Sequence, residues 1–229
     1  MPSDAAEPTH PPLVRARDAD SIAPALEDGA IVALPSVGGY VLAVHSGLPE
    51  AEQRLDALVA DPDGPHYQAA NGDAVRGLTS GWTDEIERLL ERCWPGPLEL
   101  FLPRAGASAP DSEGETVTQP GGWAMVVGTP DGRALRRLCR HHGPWRTAPL
   151  AYADAGEVAL AFDVRDVACV VDGGRREGPP PTQVDATVSP PRIFREGALP
   201  SSFVEGAVLM MNARRRLRLR LFRRPERSS

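Results

Sequence analysis

Arg92-Cys93-Trp94-Pro95-Gly96-Pro97-Leu98 is the stretch on which the reading of the fold turns. Pro95 has no N–H to donate and its ring clashes with a preceding helical turn, so it ends one element. Extended chain can then begin at Leu98. The element that ends there is a helix. Thr83 is its N-cap, and Asp84 and Glu85 fall in the first turn, where the backbone dipole favours carboxylates. Ile86, Leu89, Leu90 and Cys93 recur at i, i+3, i+4 and i+7 and form one apolar stripe. Arg88 and Arg92 lie toward the C-terminal end, where cations are favoured. After the Trp-Pro-Gly-Pro corner, residues 98–102 read as a strand.

The same grammar extends in both directions. Residues 21–28 predict a short helix stopped by Gly29, and 30–34 a buried strand. Residues 49–60 predict a helix ended by Asp61-Pro62-Asp63-Gly64-Pro65. A strand over 123–127 and a helix over 131–140 follow a Gly-, Pro- and Ser-rich loop over 104–121. Residues 150–153, 168–171, 182–188 and 192–194 read as short strands. Strands alternating with helices indicate a single α/β domain with a twisted, mostly mixed β-sheet and flanking helices. The chain divides into a flexible N-terminal segment over 1–20, a domain over 21–200 and an Arg-rich C-terminal tail over 201–229.

The bulk composition narrows the class. A chain of 229 residues, 41% hydrophobic and 24% charged, suits a soluble globular protein with one sizeable core. No apolar run is long enough for a transmembrane segment, and the N-terminus lacks the pattern of a signal peptide. The expected location is cytoplasmic. Cys93, Cys139 and Cys169 are odd in number and widely spaced, which predicts buried free thiols. All 25 basic residues are arginine, so Schiff-base chemistry and a lysine phosphate clamp are excluded. Residues 214–229 carry eight Arg and one Glu, +7, leaving −13 on residues 1–213 against a total of −6. An acidic body with a basic tail is not the profile of a strongly basic nucleic-acid-binding domain.

Five stretches, in order, carry a resemblance. They are Ile31–Leu42, Trp94–Leu98, Val170-Val171-Asp172-Gly173-Gly174, Pro181-Thr182-Gln183-Val184-Asp185 and Ile193-Phe194-Arg195-Glu196-Gly197. Together they resemble the YrdC-type threonylcarbamoyl-AMP synthase family over residues 21–198. The resemblance implies a YrdC-like domain whose helices and sheet surround a cavity. It also implies condensation of threonine, bicarbonate and ATP for tRNA modification; if that activity is retained, ATP with magnesium is the cofactor, and no other is assigned. Some relatives handle carbamoyl transfer, and the domain is associated with double-stranded RNA binding.

The chemistry is matched less well than the frame. Pro35, Tyr40 and Leu42 match the family's first motif and Ser36 replaces Thr, but Val37, Gly38 and Val41 replace Asp, Thr and Gly. The family's Lys-x-Arg near residues 60–70 has no basic counterpart; Arg54 and Arg76 flank the gap as possible substitutes. Its Arg-x-Pro becomes Gly128-Thr129-Pro130, and its Ser-x-Asn becomes Tyr152-Ala153-Asp154. Ser36, Tyr40, Thr182 and Arg195 remain as candidates for nucleotide or substrate binding. The expected function is a divergent family member, nucleotide- or RNA-binding or an interaction module, with the synthase reaction lost or altered. The alternative is an active synthase or a related carbamoyl or adenylyl transferase.

Several residues carry two readings. Arg195 either holds a phosphate through its planar guanidinium or pairs with Glu196, Asp185 or Asp154. Tyr152 either stacks on a base or fills the vacated pocket. Val37-Gly38-Gly39 is a tight turn in preference to a phosphate nest, and Asp172-Gly173-Gly174 is turn geometry before it is chemistry. Cys139, His141 and His142 are too irregularly spaced for a metal site, so none is expected. The tail over 214–224 alternates Leu with Arg over its middle. Its partners are RNA phosphates, an anionic surface or a protein, unless it is solvated or folded against the acidic body.

Overall fold

The structure, a computed structural model, describes residues 9–59, 64–107 and 123–207. Helix α4 (Asp84–Cys93) is bounded as its sequence dictates: the Thr83 hydroxyl accepts the Ile86 N–H at 3.2 Å, and extended backbone at Trp94 ends it. Its stripe of Ile86, Leu89, Leu90 and Cys93 is buried. Helix α1 (Ala23–Glu27) ends at Gly29, whose φ of +76° is the left-handed conformation that glycine adopts without strain.

Ten strands form one mixed sheet in the order β1-β8-β2-β3-β7-β4-β6-β5-β9-β10. They are β1 (Leu13–Arg15), β2 (Val32–Ser36), β3 (Gly39–His45), β4 (His66–Gln68) and β5 (Leu98–Pro103). The others are β6 (Ala124–Gly128), β7 (Trp145–Leu150), β8 (Cys169–Asp172), β9 (Thr182–Asp185) and β10 (Arg192–Arg195). β2 and β3 form a hairpin with Ser36 opposite Gly39, so Val37 and Gly38 make a two-residue turn. Gly38 takes φ +79°, and a Cβ there would lie 3.2 Å from the Pro180 Cα. The tight-turn reading of this segment describes what is observed.

Helices α2 (Pro49–Leu58) and α6 (Ala155–Ala161) pack on one face of the β8-β2-β3-β7 half through Leu55, Val158, Tyr40 and Leu42. Because Arg146 opposes Tyr67 across β7 and β4, that face continues as the one bearing Leu100, Val127 and Val184 under α4. On the opposite face, α5 (Arg133–His142) and the turn Ala16–Ile22 bury Leu34, Val41 and Trp145. α5 reaches β4 through Cys139 Sγ at the Gln68 carbonyl, and no helix among the described residues packs on that opposite face along β6, β5, β9 and β10. This is where the site lies.

Some boundaries differ from the sequence reading. Leu13–Arg15, expected in a flexible segment, is an edge strand parallel to β8, and Ala19 and Ile22 behind it are buried. Residues 201–207, expected as tail, are helical and bury Val204 and Ala207 beside α4. The strand expected over 150–153 is displaced to Trp145–Leu150. Its Arg, Thr and Pro hide the apolar pattern, and Arg146 is buried by an ion pair to Asp56 at 2.8 Å and a contact to the His66 carbonyl. The arginine-rich stretch 214–224 and most of the loop over 104–121 lie outside the described residues.

No helix among the described residues is long and apolar enough to cross a membrane. Cys93, Cys139 and Cys169 are free and buried. Burial pushes the Cys139 thiol up to about 12 and the Cys169 thiol to about 11, and raises Cys93 as well. The nucleophile is the thiolate. At pH 8 the native protein is expected to resist iodoacetamide at all three positions, whereas denatured chain takes up three equivalents. Alkylation in the native state on the denatured timescale would contradict the burial described.

Candidate functional site

The site's face, on which Gln68, Val126, Phe101, Gln183 and Asp185 are buried, is organised by strand register. Gln68 on β4 opposes Gly128 on β6, Leu100 opposes Val127 so that Glu99 on β5 follows beside Gly128, Glu99 opposes Gln183 on β9, and Gln183 opposes Arg195 on β10. Register partners point to the same side of a sheet. Gln68, Gly128, Glu99, Gln183 and Arg195 therefore form one row across five strands. Two contacts tie it together: Gln183 Nε2 donates to Glu99 Oε2 at 2.9 Å, and Gln68 Nε2 donates to Ser36 Oγ at 3.3 Å. Ser36 is on β2, three strand spacings from β4, which in a flat sheet would be about 14 Å. Their side chains meet because the sheet curls toward this face. The face is concave.

The candidates read from sequence separate into several places. Ser36 reaches the row through Gln68. Arg195 stands at the row's far end, exposed, with Gln183 between it and Glu99. The three carboxylates proposed as its partners are engaged otherwise: Asp185 pairs with Arg192 at 3.3 Å, Asp154 Oδ1 accepts the Gly156 N–H at 2.8 Å to cap α6, and Glu196 accepts from Ser201. Tyr40 is buried and its hydroxyl is used structurally. It donates to the Gly174 carbonyl at 2.9 Å and accepts the Gly173 N–H at 3.1 Å, holding the Asp-Gly-Gly turn in place. Burial pushes this phenol up from its ordinary value. Thr182 is wholly buried, and its hydroxyl bridges three backbone groups of residues 197–199.

The two substitute arginines are not on this face. Arg54 donates to the Gly29 carbonyl and lines a groove of about 550 Å³ with Ile31, Leu58 and Arg165, beside α2. Arg76 (the last residue of helix α3, Gly72–Arg76) pairs with Glu87 at 2.8 Å and lies 4.1 Å over the Trp82 ring. Tyr152 is half-buried and packs against the core cluster under α6.

Sequence reading missed Gln68, Glu99, Gln183 and Arg176. Arg176, in the β8–β9 connection, pairs with Asp131 at 2.8 Å, and its N–H donates to the Ala153 carbonyl. Asp131 follows β6, five strand spacings from β8, so this connection passes across the concave mouth. The signal for the others was available in part: Glu99 and Gln183 are polar residues inside apolar strands, where an unpaired polar group is costly. Chemically, the row centres on a carboxylate flanked by two amides. Gln68 Oε1 and Thr129 Oγ1 are buried with no hydrogen-bond partner. Among the described residues no three His, Cys, Asp or Glu side chains converge as a metal site.

A curled ten-stranded mixed sheet, with α2, α4 and α6 on its convex face and α5 beside a polar row on its concave face, defines a mixed α/β domain. The family model described as telomere recombination, covering Sua5, YciO and YrdC proteins, matches residues 24–197, and the chain belongs to that family. The threonylcarbamoyl-AMP synthase of Pyrococcus abyssi (strain GE5 / Orsay) is 29% identical over 193 residues, 80% of this chain and 55% of the relative. The chain thus spans little more than half the length of that relative. The structure of P. abyssi Sua5 complexed with L-threonine is similar with a TM-score of 0.69 and 26% identity, covering 86% of this chain and 60% of the other. E. coli YciO has the same fold, with a TM-score of 0.68 at 17% identity over 84% of this chain and 98% of its own.

Proposed function

We propose that this chain is a divergent Sua5/YciO/YrdC-family protein that keeps a ligand-binding concave face and has lost or altered the synthase reaction. One observation carries the reading: Gly128, Glu99 and Gln183 occupy the centre of the row, with no cation among them. Carboxylate, carbamate and triphosphate are all anionic, and their chemistry depends on preorganised cations and donors where charge develops. Each lost charge-assisted donor forfeits about 1.5–3 kcal/mol, and a lost transition-state donor costs roughly 100-fold or more in rate. A carboxylate leaning over Gly128 adds repulsion to those losses.

A second reading, an active threonylcarbamoyl-AMP synthase, draws on the 29% identity to the P. abyssi enzyme. It would route charge neutralisation through Arg195 and Arg176. Pyrophosphate release from ATP separates the two. Purified full-length chain is expected to release it at the rate of the protein-free control, with or without threonine and bicarbonate. Release that requires both threonine and bicarbonate would refute the favoured reading and establish the second.

A further inference from the structure

A groove of about 340 Å³ lies between α3 and α4, on the convex side, and its walls combine indole with carboxylate: Trp82 and Trp94, with Asp73, Glu87 and Glu91. At one end the protein shows what such walls take. The Arg76 guanidinium lies 4.1 Å over the Trp82 ring and pairs with Glu87 at 2.8 Å. The other end repeats the indole and the carboxylate without the cation. Trp94 is fixed by its indole N–H, which donates to the Leu98 carbonyl at 2.9 Å. Glu91, three positions earlier and so on the same face, is exposed and has no ion pair among the described residues. With three carboxylates against the one guanidinium of Arg76, the lining carries −2.

The chain carries a segment of matching chemistry close by. Residues 201–207 bury Val204 and Ala207 in the same cluster as Leu89 and Leu90 of α4. Residues 208–229 follow, and Arg214, the first of the eight arginines over 214–229, is seven positions beyond Ala207. Seven extended residues reach about 23 Å. A ten-residue helix such as α4 is about 15 Å long and roughly 10–12 Å across, so its whole surface is within range. We propose that the arginine-rich tail docks in this groove, with a guanidinium on the Trp94 ring paired to Glu91, as Arg76 is on Trp82 and Glu87. A planar guanidinium stacks on an indole while donating to a carboxylate, which suits both walls at once. The −13 of residues 1–213 adds an attraction that salt screens. A docked tail is withheld from RNA phosphates. The inference is independent of the concave face and of any reaction there.

Trypsin cuts after arginine, so it reads the docking directly. In the full chain at low salt, cleavage within 214–224 is expected to run about tenfold slower than in a synthetic peptide of residues 208–229, from one exposed ion pair and one cation–π contact. E91Q, at an exposed helix position, should bring the rate most of the way to that of the peptide. Raising the salt to about 1 M, where the screening length falls to roughly 3 Å, should do the same, with the peptide cut in parallel as reference. Equal rates in the full chain, E91Q and the peptide would show a solvated tail and overturn the docking. Protection untouched by E91Q would place the tail elsewhere on the body. Protection that appears only when duplex RNA is added would assign the tail to nucleic acid. Either result overturns the assignment to this groove.

Discussion

Replacing Gly96 by alanine is expected to destabilise the protein by about 3 kcal/mol or more. The reason lies in the corner between α4 and β5. A Cβ on Gly96 would collide with the carbonyl oxygen of Cys93, and the Leu98 N–H, which donates to the Gly96 carbonyl at 2.9 Å, ties the same turn to the start of the strand. The obstacle is backbone, which cannot rotate aside as a side chain does. Relief requires α4 to shift, and with it the buried Leu89, Leu90 and Cys93. Gly206 provides the control. It lies within helical residues 201–207, a Cβ there meets nothing within 4 Å, and Gly206→Ala should stabilise by about 0.5–1 kcal/mol. Chemical denaturation of the two variants measures both effects. Equal stabilities would show that the corner is not built as described.

Thr182→Val is the second large effect. Valine preserves the shape of a fully buried side chain and removes only its hydroxyl. That hydroxyl donates to the Leu199 carbonyl at 2.7 Å and accepts from the Gly197 N–H at 2.9 Å and the Leu199 N–H at 3.0 Å. Removal leaves two backbone donors and one acceptor without this partner, at about 1–3 kcal/mol each before relaxation. The expected loss is about 3–5 kcal/mol, or roughly 10 °C in Tm for a chain of this size. Thr182→Ser, which keeps the hydroxyl, should recover most of it. A role in ligand contact makes the opposite forecast: stability near wild type for the valine variant, with binding reduced. Measuring both quantities decides whether Thr182 serves the loop or the ligand.

The contrast between Thr182 and Glu99 shows how much of the site was legible. Thr182 was read as ligand-facing because it sits in a motif, yet its hydroxyl is spent on residues 15 and 17 positions onward. A hydroxyl's partner depends on how the chain returns, which local sequence does not encode. Glu99 sat unnoticed next to the helix-stopping corner. Its importance comes from neighbours at Gly128 and Gln183, which reach it through an antiparallel and a parallel pairing. Arg54 and Arg76 were attractive by proximity in sequence to the missing Lys-x-Arg. The helices that carry them pack on the convex side, so proximity along the chain did not become convergence.

What the sequence alone determined is the local punctuation: the Thr83 cap and the apolar stripe of α4, the stop at Pro95, the left-handed Gly29 and the turn at Gly38. Each depends on interactions within a few residues, where steric limits and hydrogen-bond arithmetic leave few alternatives. Five ordered motifs also sufficed to indicate the family. Tertiary structure alone decided the sheet order, the curl that brings Gln68 to Ser36, and hence the row with Glu99 at its centre. Those depend on pairing between strands distant in sequence, whose register is selected by packing of the whole sheet rather than by any one segment.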